Sequence, residues 1–526
     1  MSYSIEKITQ VVSAERYGDT AASISFLLTD SRSLCFPEET LFFALHTDRN
    51  DGHHYIPELY RRGVRNFVVE NVPNNFSDLY KHANFLKVGN TLAALQQLTT
   101  FHRKAFNIPI VGITGSNGKT MVKEWLSQLF SYDMNVTRSP KSYNSQIGVP
   151  LSLWLLNENS QIGLIEAGIS KVGEMQALHD IIMPTVGVLT SIGTAHQENF
   201  SSLKEKCNEK LLLFKGTQAL IYRLDDKIAA NCVAETCYDG ELLAWSEHDT
   251  TAAFYVERIE KSNTTSTIHY IWKHSIHGNF ILPFIDDASI SNCITCAVVA
   301  LYFGIQPEVL AQRMAKLEPV AMRLEVKEGQ HGCTLINDSY NSDINSLNIA
   351  LDFMNRRPDQ KHRERTLILS DIYQSGETEE QLYAEVAAMV KERGIKKFIG
   401  VGKALNRQKQ AFGSLKDKFF FENTADFIES NVFKTLHNEV ILLKGARAFD
   451  FDKLTELLVK KVHETVLEVN LNAVISNLNW YRSFLKPETK LVCMIKADAY
   501  GAGAVEIAKT LQEHRVDYLA VAVADE

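Results

Sequence analysis

Short apolar runs alternate with segments of helical period along most of the chain. IPIVGIT (108–114) is an apolar, β-branched run that ends in a glycine-rich turn, and the helical pattern MVKEWLSQLF follows it. IGLIEAG (162–168), TVGVLTSIG (185–193), TLILSDI (366–372), KFIGVG (397–402) and EVILLKG (439–445) are similar runs stopping at turn residues, with helical patterns between them. This alternation predicts parallel α/β layers. The stretch from about 250 to 280 breaks the rhythm, because FYVERIEKSNTTSTIHYIW reads as an antiparallel hairpin inserted in the α/β pattern. Boundaries are expected near 105, before IPIVGIT; near 318, at the proline of KLEPVAMRLE; and near 461, after the charged run KLTELLVKKVHE begins. The expected parts are 1–105, 106–318, 319–460 and 461–526, in keeping with 526 residues being too many for one core.

Composition narrows the class without deciding it. Hydrophobic residues make up 45% and charged residues 22%, as in ordinary globular protein. A net charge of −8 leaves no basic stripe for nucleic acid, although one loop can still build a local phosphate site. The start, MSYSIEKITQ, lacks the basic-then-apolar order of a signal peptide, and no apolar run approaches the ~20 residues of a membrane span. Eight scattered cysteines fit a reducing cytoplasm. Cys293 and Cys296 form a lone C-x-x-C within ISNCITCAVVALYFG, an apolar helical stretch, and are expected to be packing residues.

The sharpest chemical signal is ITGSNGKTMVKEW (113–125). A strand ends, glycines allow unusual backbone angles, and a helix begins with its N–H groups aimed at whatever anion lies there. Gly115, Ser116, Asn117 and Gly118 would cradle the phosphates of ATP, Lys119 would reach the terminal ones, and the Thr120 hydroxyl would hold Mg²⁺. The loop departs from the general phosphate-loop spacing, since Ile113 stands at its first glycine position, and follows T-G-[ST]-x-G-K-[ST] instead.

That variant resembles the Mur ligase family, which builds the peptide stem of peptidoglycan. Further segments resemble it in order. TDSR (29–32), LFFAL (41–45) and DGHHYI (51–56) look like the N-terminal domain that holds the uridine nucleotide. YNSQIGVPLSL (143–153), with Asn144, looks like the N-x-x-G-x-P-L segment. IEAG (165–168) and GTAHQENFSSLKEKCNEK (193–210) look like parts of the central domain, and NDSYNSD (337–343) and LLKGARAFDF (442–451) like the signatures of the member acting last. The resemblance implies a three-domain ligase: an N-terminal α/β domain, a central phosphate-loop ATPase domain and a C-terminal Rossmann-like domain. It also implies an activity, the joining of D-alanyl-D-alanine to UDP-N-acetylmuramoyl-tripeptide through an acyl phosphate.

It implies residue roles as well. Glu166 and His196, each after an apolar strand, would be metal ligands, and Lys210 would be one after carbamylation, which turns its cation into an anion. Lys119, Glu166, His196 and Lys210 make up the expected catalytic set. Asn292 would meet the adenine, Arg323 the phosphates and Asp338 the ribose. Ser31 and Arg32 would touch the uridine diphosphate, Asn144, Tyr340 and Asn341 the substrates, and Lys444 and Arg447 the incoming dipeptide. Departures are Asp287 and Ala288 where the family has a histidine, Asn337 for its first Asp, and Leu212 for a common Glu. On the residues alone, Glu166 also reads as a solvated strand-end carboxylate, and Lys210, in KEKCNEK, as an exposed helix lysine.

From 463 a new pattern starts. HETVLEVNLNAVISNLNWYRSFL reads as strand then helix, KLVCMIKADAYGAG as a buried strand ending in a lysine, and EIAKTLQEHRVDYLAVAVADE as helix then strand. IKADAYGAG resembles the opening of the alanine racemase family, a (β/α)₈ barrel, and Lys496 matches its Schiff-base lysine for pyridoxal phosphate. With three of eight strands and no later acid/base, an incomplete barrel without racemase activity is expected. Three alternatives remain at this stage: a sister or folylpolyglutamate synthase-like ligase with another amine acceptor, a nucleotide-dependent scaffold that binds the precursor without joining anything, and a pyridoxal enzyme whose ligase part is a carrier.

Overall fold

The computed structural model describes residues 1–47, 50–140, 142–193, 199–320, 324–339, 342–356, 363–372, 378–460, 467–482, 484–486, 489–524 and 526. The chain divides into two compact units, one made of Met1–Leu98 with Lys461–Glu526 and the other of Thr99–Lys460.

In the first unit, strands Glu15–Tyr17 (β1), Phe26–Leu28 (β2), Thr40–Phe43 (β3), Asn66–Val69 (β4) and Asn84–Lys87 (β5) form a sheet in the order β1-β5-β4-β3-β2. Only the β1–β5 pairing is antiparallel. LFFAL supplies β3, which is buried throughout. Ser31–Ser33 is a single 3₁₀ turn capped by Asp30, whose side chain accepts from the Arg32 backbone N–H.

A helix, Thr91–Arg103 (α1), runs into the second unit. Its end is fixed by Arg103, which donates to the Ile182, Met183 and Phe106 carbonyls at 2.6–3.1 Å. Beside it His102 is 1% exposed and donates Nε2–H to the Leu156 carbonyl (3.0 Å). Burial pushes its pKa from 6.5 down to about 4. The unfolded chain therefore takes up this proton first, so stability should fall as pH drops from 6.5 to 4, by about 3 kcal/mol in full. Urea midpoints at pH 7 and pH 4.5 should show a smaller drop in His102→Gln than in the wild type, and equal drops would refute the assignment.

The second unit carries a nine-stranded sheet. Its strands are Ile110–Thr114 (β6), Val136–Arg138 (β7), Ile162–Glu166 (β8), Val186–Leu189 (β9), Ala219–Arg223 (β10), Glu241–Ser246 (β11), Phe254–Lys261 (β12), Ser266–Trp272 (β13) and Ile276–Leu282 (β14). The order is β7-β8-β6-β9-β10-β11-β12-β13-β14. Pairings are parallel from β7 to β12 and antiparallel beyond. The expected hairpin is thus a three-stranded meander that continues the same sheet. Its third strand, IHGNFIL, carries too weak an apolar alternation to stand out in sequence.

Helices cover both faces, which is why β6, β8 and β9 are buried at every position. On one face, Lys119–Phe130 (α2) packs with Asp287–Tyr302 (α7), bringing Val122, Trp125, Leu126 and Leu129 against Cys293, Cys296 and Ala297, and Pro307–Met314 (α8) adds Leu310 and Met314 to the same core. Both cysteines are fully buried, and burial drives their thiol pKa values far up, as packing residues require. Gly148–Leu153 (α3), Glu174–Ile182 (α4), Leu203–Leu211 (α5) and Lys227–Glu235 (α6) lie over the other face.

A second sheet in this unit contains Glu325–Glu328 (β15), Thr334–Asp338 (β16), Glu364–Ser370 (β17), Lys397–Val401 (β18), Asp417–Phe421 (β19) and Glu439–Lys444 (β20). Its order is β15-β16-β20-β17-β18-β19, parallel except for the edge strand β15. Ile344–Arg356 (α9), Glu379–Glu392 (α10) and Phe451–Leu458 (α11) supply its helical cover.

The remainder of the first unit has Leu471–Arg482 (α12), Val492–Met494 (β21), Ala504–Glu513 (α13) and Tyr518–Ala520 (β22), with β21 and β22 parallel. Residues 467–470 are coil rather than the expected strand, whose first part lies outside the described residues. The strand expected to be buried, β21, is exposed, with Val492 at 59%. Among the described residues it pairs only with β22; Cys493 packs against the cluster that holds Leu478 and Leu511, whereas Val492 and Met494 are exposed. No helix among the described residues is long and apolar enough to cross a membrane.

Candidate functional site

The nine-stranded sheet grows in two directions from β6. The chain first adds β7 and β8 on one side, then returns to place β9 and β10 on the other. Such a reversal opens a crevice at the strand C-termini, where ligands of open α/β sheets bind. The loop after β6, residues 115–118, lies there and is tied to the end of β9. Ser116 N–H donates to the Ser191 carbonyl (2.7 Å), and Thr190 Oγ1 donates to the Asn117 carbonyl (2.6 Å). Two glycines make this closeness possible. A Cβ on Gly115 (φ +148°) would stand 1.9 Å from Thr190 Oγ1, and one on Gly118 (φ +87°) would stand 2.4 Å from Asn292 Oδ1. The sequence-predicted Asn292, on α7, is thereby placed against the loop.

Lys119 opens α2 and folds back over the loop, donating to the Gly115 and Ser116 carbonyls at 2.8 and 3.0 Å. Thr120 points the other way and donates to the Glu166 carboxylate at 3.1–3.2 Å. Glu166 ends β8, is 1% exposed, and also accepts from Asn144 Nδ2 (2.8 Å). So Thr120, Asn144 and Glu166, scattered over 46 residues, share one point. Ser142 joins them, 3.1 Å from Thr120 Oγ1. The buried Lys123 stands 3.8 Å from Glu166 and donates to the Ser139 carbonyl (2.8 Å). Neither Ser142 nor Lys123 was singled out from sequence, although Lys123 shares the buried stripe of α2 with Val122 and Leu126.

An all-oxygen set with one carboxylate suits Mg²⁺, which keeps waters and takes further oxygens from a substrate phosphate. Thr120 and Glu166 would hold it. Among the described residues there is no cluster of three or more His, Cys, Asp or Glu side chains that would favour another metal. His196 lies outside the described residues.

Lys210 is not the exposed helix lysine that its charged neighbourhood suggests. It is 2% exposed, and its pKa is held well below the usual value, first by burial and then by Lys119 and Lys206. Lys206, one turn earlier on α5, is 1% exposed and donates to the Gly193 carbonyl (2.6 Å). Burial and then Lys119 lower its pKa to about 8, against the opposing pull of Asp343. Glu209 accepts from Gly173 and Met175 N–H groups (2.8 and 3.2 Å) and so sets the rotation of α5. Leu203, Cys207 and Leu211 recur every fourth residue of α5. Lys206 and Lys210 sit beside that apolar stripe, the signal that could have marked Lys206 as buried.

A cavity of ≈ 370 Å³ continues from the loop between the ends of β9, β10 and β11 and α7, lined by Thr190, Arg223, Asp225, Trp245 and Asn292 among others. Arg223 stacks on Trp245, with its guanidinium carbon 4.8 Å from the ring centroid. Asp287, at the expected histidine position, pairs instead with Lys261.

In the second sheet, register places Asp338 opposite Lys444 at adjacent strand ends. The two form a buried ion pair at 2.7 Å. Lys444, expected to guide a dipeptide, is fully buried and gives its ammonium to Asp338. Arg447 starts a 3₁₀ turn, Arg447–Phe449. Arg323, Tyr340 and Asn341 lie outside the described residues. In the first unit, Arg32 is exposed and binds Asp30 with both arms at 2.6–3.2 Å, which lowers the Asp30 pKa. The Ser31 carbonyl accepts from Arg62 (2.8 Å). Lys496 follows β21 with its ammonium 5.9 Å from the Tyr500 ring. That exposed aromatic gives no seat for the ring and phosphate of pyridoxal phosphate, and no pyridoxal chemistry follows from it.

Three family descriptions match the chain: the Mur ligase middle domain over residues 113–300, the Mur ligase glutamate ligase domain over 322–447, and the alanine racemase N-terminal domain over 469–526. The UDP-N-acetylmuramoyl-tripeptide–D-alanyl-D-alanine ligase of Bacillus subtilis is 26% identical over 442 residues, spanning 82% of this chain and 92% of that protein. The fold is similar to crystal structures of MurF from Acinetobacter baumannii (TM-score 0.74, 20% identity, 87% and 99% of the two chains) and of MurF ligase from Thermotoga maritima in complex with ADP (TM-score 0.67, 20% identity, 82% and 96%).

Proposed function

Since the chain belongs to the Mur ligase family, we infer that it joins D-alanyl-D-alanine to UDP-N-acetylmuramoyl-tripeptide with conversion of ATP to ADP and phosphate. The observation that carries this reading is the convergence of Lys119, Thr120 and Glu166 at the switch point of a parallel sheet. A carboxylate and an amine do not condense in neutral water, because the ionised acid has no leaving group. The tripeptide carboxylate therefore attacks the γ-phosphorus and ADP departs. The dipeptide amine then attacks the acyl carbon, phosphate departs, and the amine loses a proton.

This chain's residues serve that sequence by position and charge. The loop N–H groups and Lys119 hold the phosphates, and the cavity beside Asn292 and Trp245 takes the nucleoside. Thr120 and Glu166, with His196 and carbamylated Lys210, would hold Mg²⁺, which would supply charge neutralisation to the transferring phosphoryl group. Lys123, 3.8 Å away, helps to hold the buried Glu166 carboxylate in place. Asp338, oriented by Lys444, faces the ribose. Ser31 and Arg32 hold the uridine diphosphate, for which a two-armed guanidinium is suited.

Residues 1–105 take the UDP-linked peptide, 106–318 the ATP, and 319–460 the dipeptide, in the cytoplasm. Residues 461–526 open a racemase-type barrel. A racemase that makes D-alanine would supply the dipeptide's building block, which accords with the ligase reading.

Phosphate release from ATP should require both UDP-N-acetylmuramoyl-tripeptide and D-alanyl-D-alanine. Release with a free diamino acid in place of the dipeptide would overturn the acceptor assignment.

A further inference from the structure

Lys119, Lys206 and Lys210 lie about the phosphate crevice, and the reading above gives Lys206 no role. Lys206 is buried at 1% exposure on the α5 face that also carries Lys210, and its ammonium lies 2.6 Å from the Gly193 carbonyl. That carbonyl also accepts from Ser116 Oγ (3.0 Å), a residue of the phosphate loop, and Ser116 Oγ accepts in turn from Gly193 N–H (2.9 Å). Lys206 is thus joined to the loop through one shared acceptor, on the side contributed by β9, opposite Thr120 and Glu166.

Resting on the ligase reading, we propose that Lys206 is a second phosphate-binding ammonium, which contacts the γ-phosphoryl group as it passes from ATP to the substrate carboxylate. Burying the Lys206 ammonium beside that of Lys119 raises the energy of the protein alone, because the two like charges repel each other. Such an arrangement is stable where a polyvalent anion completes it. A nucleoside triphosphate is that anion, and its terminal group is the part that reaches past the loop. Asp343 attracts Lys206 from the second sheet's side of the unit, so the ammonium is held between the loop and the region expected to bring the amine. Protein dipoles and charges fixed in advance around a transferring group act most strongly in such a water-poor site.

The test compares binding of ADP and of a β,γ-imido ATP analogue, each with Mg²⁺, by calorimetry for the wild type, Lys206→Met and Lys206→Arg. In Lys206→Met the analogue should bind about 10–100-fold more weakly, as expected for a lost charge-assisted hydrogen bond, while ADP changes by less than about threefold. Turnover should fall by about a hundredfold, and Lys206→Arg should recover part of both losses. The thermal midpoint of Lys206→Met should stay level or rise, because methionine removes a buried charge. An unchanged ratio of analogue to ADP affinity would overturn the proposal. So would equal loss of both nucleotides with a fallen midpoint, which would assign Lys206 to holding the Gly193 carbonyl. A wild type that binds neither nucleotide would instead overturn the ligase reading beneath it.

Discussion

Lys119→Ala should lower phosphate release in the presence of both substrates by about a thousandfold, the upper end of what removal of one fixed charge donor does to a reaction of this kind. Lys119 is held over the loop by two backbone carbonyls, at 2.8 and 3.0 Å, so its ammonium is pre-positioned. The substitution gives up hydrogen bonds to two backbone carbonyls of the loop and relieves the repulsion of Lys206, so the thermal midpoint should move by no more than about 2 °C, about the shift expected for 1 kcal/mol in a large domain. A variant retaining a tenth of wild-type release would show that the loop binds phosphate without this lysine, and the assignment would fail. The site's two poles also make separate losses: Lys119 acts on the phosphates, whereas Thr120 and Glu166 act through the metal. Excess Mg²⁺ should therefore leave Lys119→Ala unrescued.

Lys444→Ala should destabilise the second sheet by about 3–5 kcal/mol, because it strands the Asp338 carboxylate in a buried position. Asp338 is 6% exposed and Lys444 0%, and their 2.7 Å contact spans two neighbouring parallel strands. The loss reflects an uncompensated charge rather than the worth of the pair. The double variant Asp338→Leu with Lys444→Met should accordingly be far more stable than either Asp338 partner left alone. Urea unfolding of the single and double variants measures this. A single-variant loss below about 1 kcal/mol would mean that water reaches the carboxylate and the pair is not sealed. The double variant, although folded, should turn over poorly if Asp338 faces the ribose, which separates the pair's role in function from its role in stability.

Glu166 and Lys210 show how burial alters a sequence reading. Either could have been a solvated charge by its local context, and both prove to be almost fully enclosed. Enclosing a charge is unfavourable unless it is paired or used. For Glu166 the pairing is visible in Thr120, Asn144 and Lys123. For Lys210 burial lowers the pKa first, and the neighbouring Lys119 and Lys206 lower it further.

The parallel layers, the phosphate loop and the strand end that carries Glu166 were legible in the sequence by itself. Each rests on local physics: short apolar runs that must be covered on both faces, glycines at positions of positive φ, and a helix start that follows a strand end directly. Tertiary structure alone decided the rest. Residues 120, 144 and 166 meet because β6 and β8 are neighbours, and residues 338 and 444 meet because β16 and β20 are. Sequence spacing carries no record of such neighbours. The charged run KEKCNEK looks solvated until α4 and the loop at Gly193 close over one side of it, and then Lys206 and Lys210 are seen to face inward. The third strand of the meander likewise exists because β13 offers it an edge, not because its own residues demand it.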